Sequence, residues 1–181
     1  MNAREQHGPA GRRVQAGMVP PDDVDGFLRS WTGVAATLID RHLNVAGSSP
    51  LAEALFPQLQ RGVNLARVTF LGEQTSCSEN MSAQVVAALH ASLASHEEDA
   101  GFRQIVGELS ARSREFSAAW AADRVGLQPH GTLHTTHPSA GELAISYQLL
   151  ALASGSDEVL IVWRGADPES ETALRVLEAA S

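Results

Sequence analysis

An α+β fold is predicted by three features of the 181-residue chain: two apolar runs of strand length near the amino end, a middle with apolar residues at helical spacing, and a last stretch in which they alternate. The leading stretch VDGFLRSW sets Val24, Phe27, Leu28 and Trp31 three, four and seven apart, one face of a short helix. GVAATLID and RHLNVAGSS, joined around Asp40 to His42, predict a β-hairpin. SPLAEALFPQL predicts a short helix with a serine cap and a stop near Pro57, and GVNLARVTFL predicts another. From Asn80, the stripe Val85, Val86, Leu89 and Leu93 predicts a longer helix ending near the acidic run Glu97, Glu98, Asp99. Phe102, Ile105, Val106 and Leu109 mark the next helix, and Phe116 with Trp120 the one after it.

The period then changes. GTLHTTHP is rich in β-branched threonine, GELAISYQLLAL puts Leu143, Ile145, Tyr147 and Leu149 on one face, and DEVLIVWRG is a compact β-branched run. Their short Ser-Ala-Gly and Ser-Gly-Ser-Asp connections predict three antiparallel strands. Asp167-Pro168 predicts the start of a last helix, with Leu174 and Leu177 on its apolar side. The order is two strands, a helical middle, three strands and a helix.

Length and composition, 44% apolar, fit one domain. Residues 1–21, rich in Gly, Pro, Arg and Gln, are expected to be a disordered tail or linker remnant, and residues 22–181 the folded domain. The single thiol, Cys77, can form no internal disulfide, no run of apolar residues is long enough to span a bilayer, and no secretory signal opens the chain. The expected location is the cytoplasm. All thirteen basic residues are arginines. Residues 1–21 carry three of them against one glutamate, so residues 22–181 carry −10. Nucleic-acid affinity rests on cations that neutralise phosphates, so direct DNA binding by this chain is not expected.

Three histidines in HGTLHTTHP raise the question of a metal site, since imidazole is the commonest zinc ligand. On a strand, His130 and His134 share one side and His137 takes the other, so the three cannot converge. They are expected to be strand and turn residues, with no metal and no cofactor. Ser76, Cys77 and Ser78 follow no nucleophile-elbow pattern, no glycine-rich phosphate loop occurs, and Glu97-Glu98-Asp99 reads as a solvated helix end. Glu115 beside Arg112 and Arg114 reads as surface charge. No catalytic site is expected, and the chain is not expected to be an enzyme.

The element order is similar to that of a PAS-like domain, in which helices cover one face of a five-stranded antiparallel sheet. Beyond order, the stretch from Gly107 to Leu152 resembles the ligand-binding domain of MmyB-like transcription regulators through Gly107 to Ser110, Ser113, Glu115, Phe116, Trp120, His137, Pro138, Gly141 to Leu143 and Tyr147. With GVNLARVTFL and ADPESETALRVL, the resemblance covers roughly residues 24–180. It implies a sensor from a bacterial regulator of the Xre type, in which a helix-turn-helix DNA reader precedes a PAS-like domain whose pocket is associated with fatty-acid-like ligands. Only residues 1–21 precede the sensor here, so the DNA reader is expected to be missing from this chain.

The resemblance places the ligand between sheet and helices, where Phe56, Leu65, Arg67, Phe70, Leu89, His90, Leu109, Phe116, Trp120, Ile145 and Tyr147 are the expected site residues. Phe116 and Trp120, four apart, share a helical face, and Leu89 is expected to look into the same space. Arg67, His90, Arg112 and Tyr147 are candidate partners for a ligand carboxylate. The alternative is the same fold with a filled core, serving as a homodimerisation module.

Overall fold

A computed structural model describes residues 21–72, 79–96, 98–122, 126–152 and 157–180. Residues 1–20 of the expected tail, the Cys77 segment and most of the Ser-Gly-Ser-Asp connection lie outside the described residues, and Pro21, the last residue assigned to the tail, opens the first helix. The order of elements is α1 (Pro21–Arg29), β1 (Ala35–Ile39), β2 (Val45–Ser48), α2 (Pro50–Leu55), α3 (Leu65–Leu71), α4 (Glu79–Ser95), α5 (Ala100–Arg112), α6 (Arg114–Ala122), β3 (His130–His137), β4 (Gly141–Ala151), β5 (Val159–Gly165) and α7 (Pro168–Ala179). The five strands form one antiparallel sheet in the order β2-β1-β5-β4-β3. The predicted α+β class and the antiparallel sheet are what the chain adopts.

Short polar side chains start the helices by capping amides that no earlier turn can satisfy. Ser49 caps α2 by accepting from Ala52 N at 3.3 Å. The same hydroxyl accepts from Ala36 N at 2.9 Å and donates to Val34 O at 2.7 Å, fastening α2 to β1. Asn64 caps α3 and also donates to His42 O at 2.7 Å, which ties that helix to the β1–β2 turn. Asp99 caps α5, Ser113 accepts from Phe116 N at the start of α6, and Asp167 followed by Pro168 opens α7 as predicted.

The two faces of the sheet differ. Ala35 and Ile39 of β1, Ile161 and Trp163 of β5, Leu143 and Ile145 of β4 and Leu133 of β3 join one large core with residues of α2 to α7. On the opposite face, Ala36 and Leu38 pack with Leu28, Val24 and Trp31 of α1 or its end, and with Leu160 and Val162. Helices therefore cover one face in bulk, while α1 shields part of the other. All five residues of β1 are buried, which is why its sequence, AATLI, lacks the alternation of a half-exposed strand.

Candidate functional site

Between α4 and the inner face of the sheet the packing leaves a gap. A cavity of about 60 Å³ is lined by Ile39, Leu43, Leu65, Met81, Gln84, Val85, Ala88, Leu127, Leu133, Tyr147, Leu149, Ile161 and Trp163, all through apolar atoms. That is room for about four waters. Toward the amino end of α4 the gap meets a crevice of about 30 Å³, which shares Leu65, Met81 and Leu133 and adds Phe56, Gln58 and Thr69. Toward its carboxyl end the gap meets a mouth of about 200 Å³, which shares Ile39, Leu43, Ala88, Leu127 and Leu149 and adds Asp40, Arg41, Ser92, His96 and Asp157. The three spaces follow α4 from Met81 to Ser95, about 21 Å at 1.5 Å per residue.

Strand pairing brings the aromatic wall together. Tyr147 pairs with Gly131 on one side and Trp163 on the other, and the two rings lie 6.3 Å apart. Glycine at 131 is what lets the phenol lie flat there, since a Cβ would meet Tyr147 Oη at 2.8 Å. Burial pushes the Tyr147 phenol above its ordinary pKa, so it stays protonated at neutral pH. Trp163 donates from Nε1 to the buried Thr37 hydroxyl at 3.4 Å and meets Phe56 edge-on at 4.9 Å.

The mouth is a set of ion pairs. Arg41 Nη2 and His42 Nε2 each approach Asp99 Oδ2 at 3.0 Å. Hydrogen bonds from His42 and then from Gly101 N hold the Asp99 carboxyl below the usual range. Across the opening, His96 Nε2 lies 3.0 Å from Asp157 Oδ2, while its Nδ1 donates to Ser92 O at 3.0 Å. Asp40 accepts from His42 N, Asn44 N and Asn44 Nδ2 at 2.8–2.9 Å and so shapes the turn. In that turn Leu43 adopts φ 65°, the left-handed region, which is strained for a branched residue, and its side chain lines the cavity.

Arg67 apart, the expected site residues fall into three groups, with Phe116 in two of them. Phe56, Leu65 and Tyr147 line the cavity or its crevice. Leu89, Leu109, Phe116 and Ile145 are each 0% exposed in close-packed core, and none lines these spaces. Ala88, one position before Leu89, takes the lining place on α4. Phe70, Phe116, Trp120 and His90 form a separate aromatic stack, with Phe70 edge-on to Phe116 at 5.1 Å and His90 flat on Trp120 at 3.8 Å.

Of the candidate partners for a carboxylate, Arg67 and Arg112 both grip Glu108, at 2.8 Å each, joining α3 to α5. Glu108 is in turn held below its ordinary pKa, chiefly by the Arg67 hydrogen bond. His137 points into the core and bonds Ala54 O at 2.9 Å through Nε2, with its Nδ1 accepting from Ala140 N at 3.2 Å. His130 and His134 are exposed on the other face, as alternation requires. Among the described residues no three His, Cys, Asp or Glu side chains are grouped to hold a metal ion.

Sequence reasoning missed Trp163, Leu133, Leu43, Ile39, Met81, Val85, Ala88, Leu127 and Leu149 as lining residues. A signal existed for Trp163: in DEVLIVWRG it shares a face with Ile161, and pairing with the alternating strand would aim both inward. A model of the MmyB-like transcription regulator ligand binding domain matches residues 20–179. Comparison with curated proteins gives no match.

Proposed function

Because this chain belongs to the MmyB-like transcription regulator ligand binding domain family, a sensor domain with a small-molecule partner, we propose that its ligand is a fatty-acid-like molecule. The long chain of that molecule would lie in the gap under α4, and the observation that supports this reading is the wholly apolar cavity drawn out along the helix. Each buried methylene contributes about 0.8 kcal/mol, so ten give roughly 8 kcal/mol before ordering costs, without a catalytic group. The space is narrow, so a chain must widen it. The lining offers the means: Met81 has a flexible thioether side chain, and Leu127, 39% exposed, stands at the junction with the mouth. Among the described residues no helix is long and apolar enough to cross a membrane. We place the domain in a cytoplasmic, non-enzymatic regulator of the Xre type that contacts DNA through a helix-turn-helix domain outside this chain.

The narrowness also favours a second reading, a filled-core module that pairs with its own copy. Denaturing extraction of natively purified protein followed by mass spectrometry decides between them. A stoichiometric long-chain molecule is expected. No released lipid, together with added C12 to C16 chains that neither bind nor raise the melting temperature, would favour the filled core.

A further inference from the structure

Met81 stands at the narrow point of the gap. Leu65, Met81 and Leu133 line both the inner cavity and the crevice beyond it. Two of these are held by backbone pairing: Leu65 N donates to Leu43 O at 2.8 Å as α3 begins, and Leu133 pairs with Ile145 inside the sheet. Both side chains are branched and buried. Met81 is half-buried, unbranched and flexible. It lies in the first turn of α4, which is tied to α6 by the hydrogen bond from Ser82 Oγ to Glu115 Oε1 at 3.0 Å. Beyond Met81 the crevice measures about 30 Å³, room for about two waters, against about 200 Å³ at the mouth. A long chain enters from the wide end, methyl first, and Met81 is where that end arrives.

The distance can be worked out along the helix. From Ser92 in the mouth to Met81 is eleven residues, a rise of about 16.5 Å at about 1.5 Å each. An all-trans chain advances about 1.2 Å per bond, a third of the extended backbone's reach per residue. With the head group level with Ser92, about fourteen carbons reach Met81. We infer that Met81 sets the chain length this domain accepts: methylenes as far as Met81 are buried at full gain, and later ones must turn the thioether aside to enter the crevice. The inference rests on the fatty-acid-like reading above and goes further by naming the length of the chain and the side chain that reads it.

The test measures the delipidated full protein against saturated fatty acids of 10 to 18 carbons, each below its micellar concentration, by displacement of a fluorescent twelve-carbon fatty acid. For the wild type, Kd is expected to fall about fourfold per methylene, the equivalent of about 0.8 kcal/mol, as far as about 14 carbons, and by less than about twofold per pair of carbons after that. Met81→Ala clears the narrow point and is expected to move the break upward by at least two carbons. Met81→Phe puts there a ring that cannot fold aside, so affinity is expected to fall about tenfold from 14 to 18 carbons, while the ten-carbon acid binds within about threefold of wild type. A wild-type curve without a break, a break at the same length in both variants, or an equal change at every length would overturn Met81 as the determinant and leave chain binding intact. Failure of the probe and of every fatty acid to bind would remove the chain-binding reading itself, and the role of Met81 with it.

Discussion

Ala88→Phe distinguishes a gap from a core at a single position. Ala88 lines both the inner cavity and the mouth, so a ring placed there grows into open space. In close-packed surroundings such an enlargement costs about 1–3 kcal/mol. In the gap it is expected to cost less than about 1 kcal/mol, a fall in melting temperature of no more than a few degrees for a domain of this size. The ring occupies the room of about four methylenes of a bound chain, each worth about 0.8 kcal/mol. Affinity for dodecanol should therefore fall by on the order of 100-fold, from about 3 kcal/mol lost. Leu89→Phe is the matched control, one residue on, about 100° around the helix and 0% exposed. It is expected to lose about 1–3 kcal/mol of stability and to leave affinity within about threefold. Thermal denaturation without ligand and calorimetry with dodecanol read the two effects separately. If Ala88→Phe destabilises as much as Leu89→Phe and still binds dodecanol at full strength, the gap is not the ligand site.

Ser49→Ala removes a buried hydroxyl that serves two amides and a carbonyl; a loss of about 2–3 kcal/mol in urea denaturation is expected, and a loss under about 0.5 kcal/mol would refute the stapling role. Gly131→Ala pushes the Tyr147 ring toward Trp163, so dodecanol affinity should drop severalfold at a stability cost of about 1 kcal/mol, and unchanged binding would show that the ring yields elsewhere. Asp99, Glu108 and Asp167 are held below their ordinary values by hydrogen bonds from His42, Arg67 and Ser170, respectively. A depressed folded-state pKa supplies stability above the unfolded value of about 4 and loses it as pH falls through the folded value, so stability should decline below about pH 4. Asp99→Asn should make that acid limb shallower, and an unaltered limb would count against the His42 contact. With −10 on residues 22–181, the chain alone should not retard duplex DNA at physiological salt, and salt-sensitive, sequence-selective retardation would contradict that expectation.

Elements were more legible in the sequence than the site was. The hairpin around Asp40, the capped start at Asp167-Pro168 and the alternating run through Tyr147 are local patterns, and each lies where its period and caps indicate. Periodicity also identified the apolar face of α4. It could not separate Leu89, which fills space, from Ala88, which leaves it, because that difference depends on the volumes contributed by β1, β3, β4 and β5 across the gap. The motif from Gly107 onward identified a family, but in the fold most of its residues hold the scaffold. Glu108 clamps two arginines, Ser113 caps α6, His137 bonds a carbonyl of α2, and among them Tyr147 lines the cavity. The mouth was invisible because Asp40 and Arg41, His96, and Asp157 come together only after three separate segments converge.

The strand order has a consequence for how this chain is made. The middle strand of the sheet, β5, is the last strand in sequence, and it pairs β1 on one side and β4 on the other. During synthesis the β1–β2 and β3–β4 hairpins emerge first, and an isolated hairpin is at best marginal in water. Each must wait with its inner edge unpaired until residues 159–165 leave the ribosome and dock between them. Insertion of this one seven-residue strand between two ribbons that are marginal alone makes long-range contacts late in the chain. A chain ending before Val159 leaves the inner edges of β1 and β4 unpaired, with no strand to join the two hairpins.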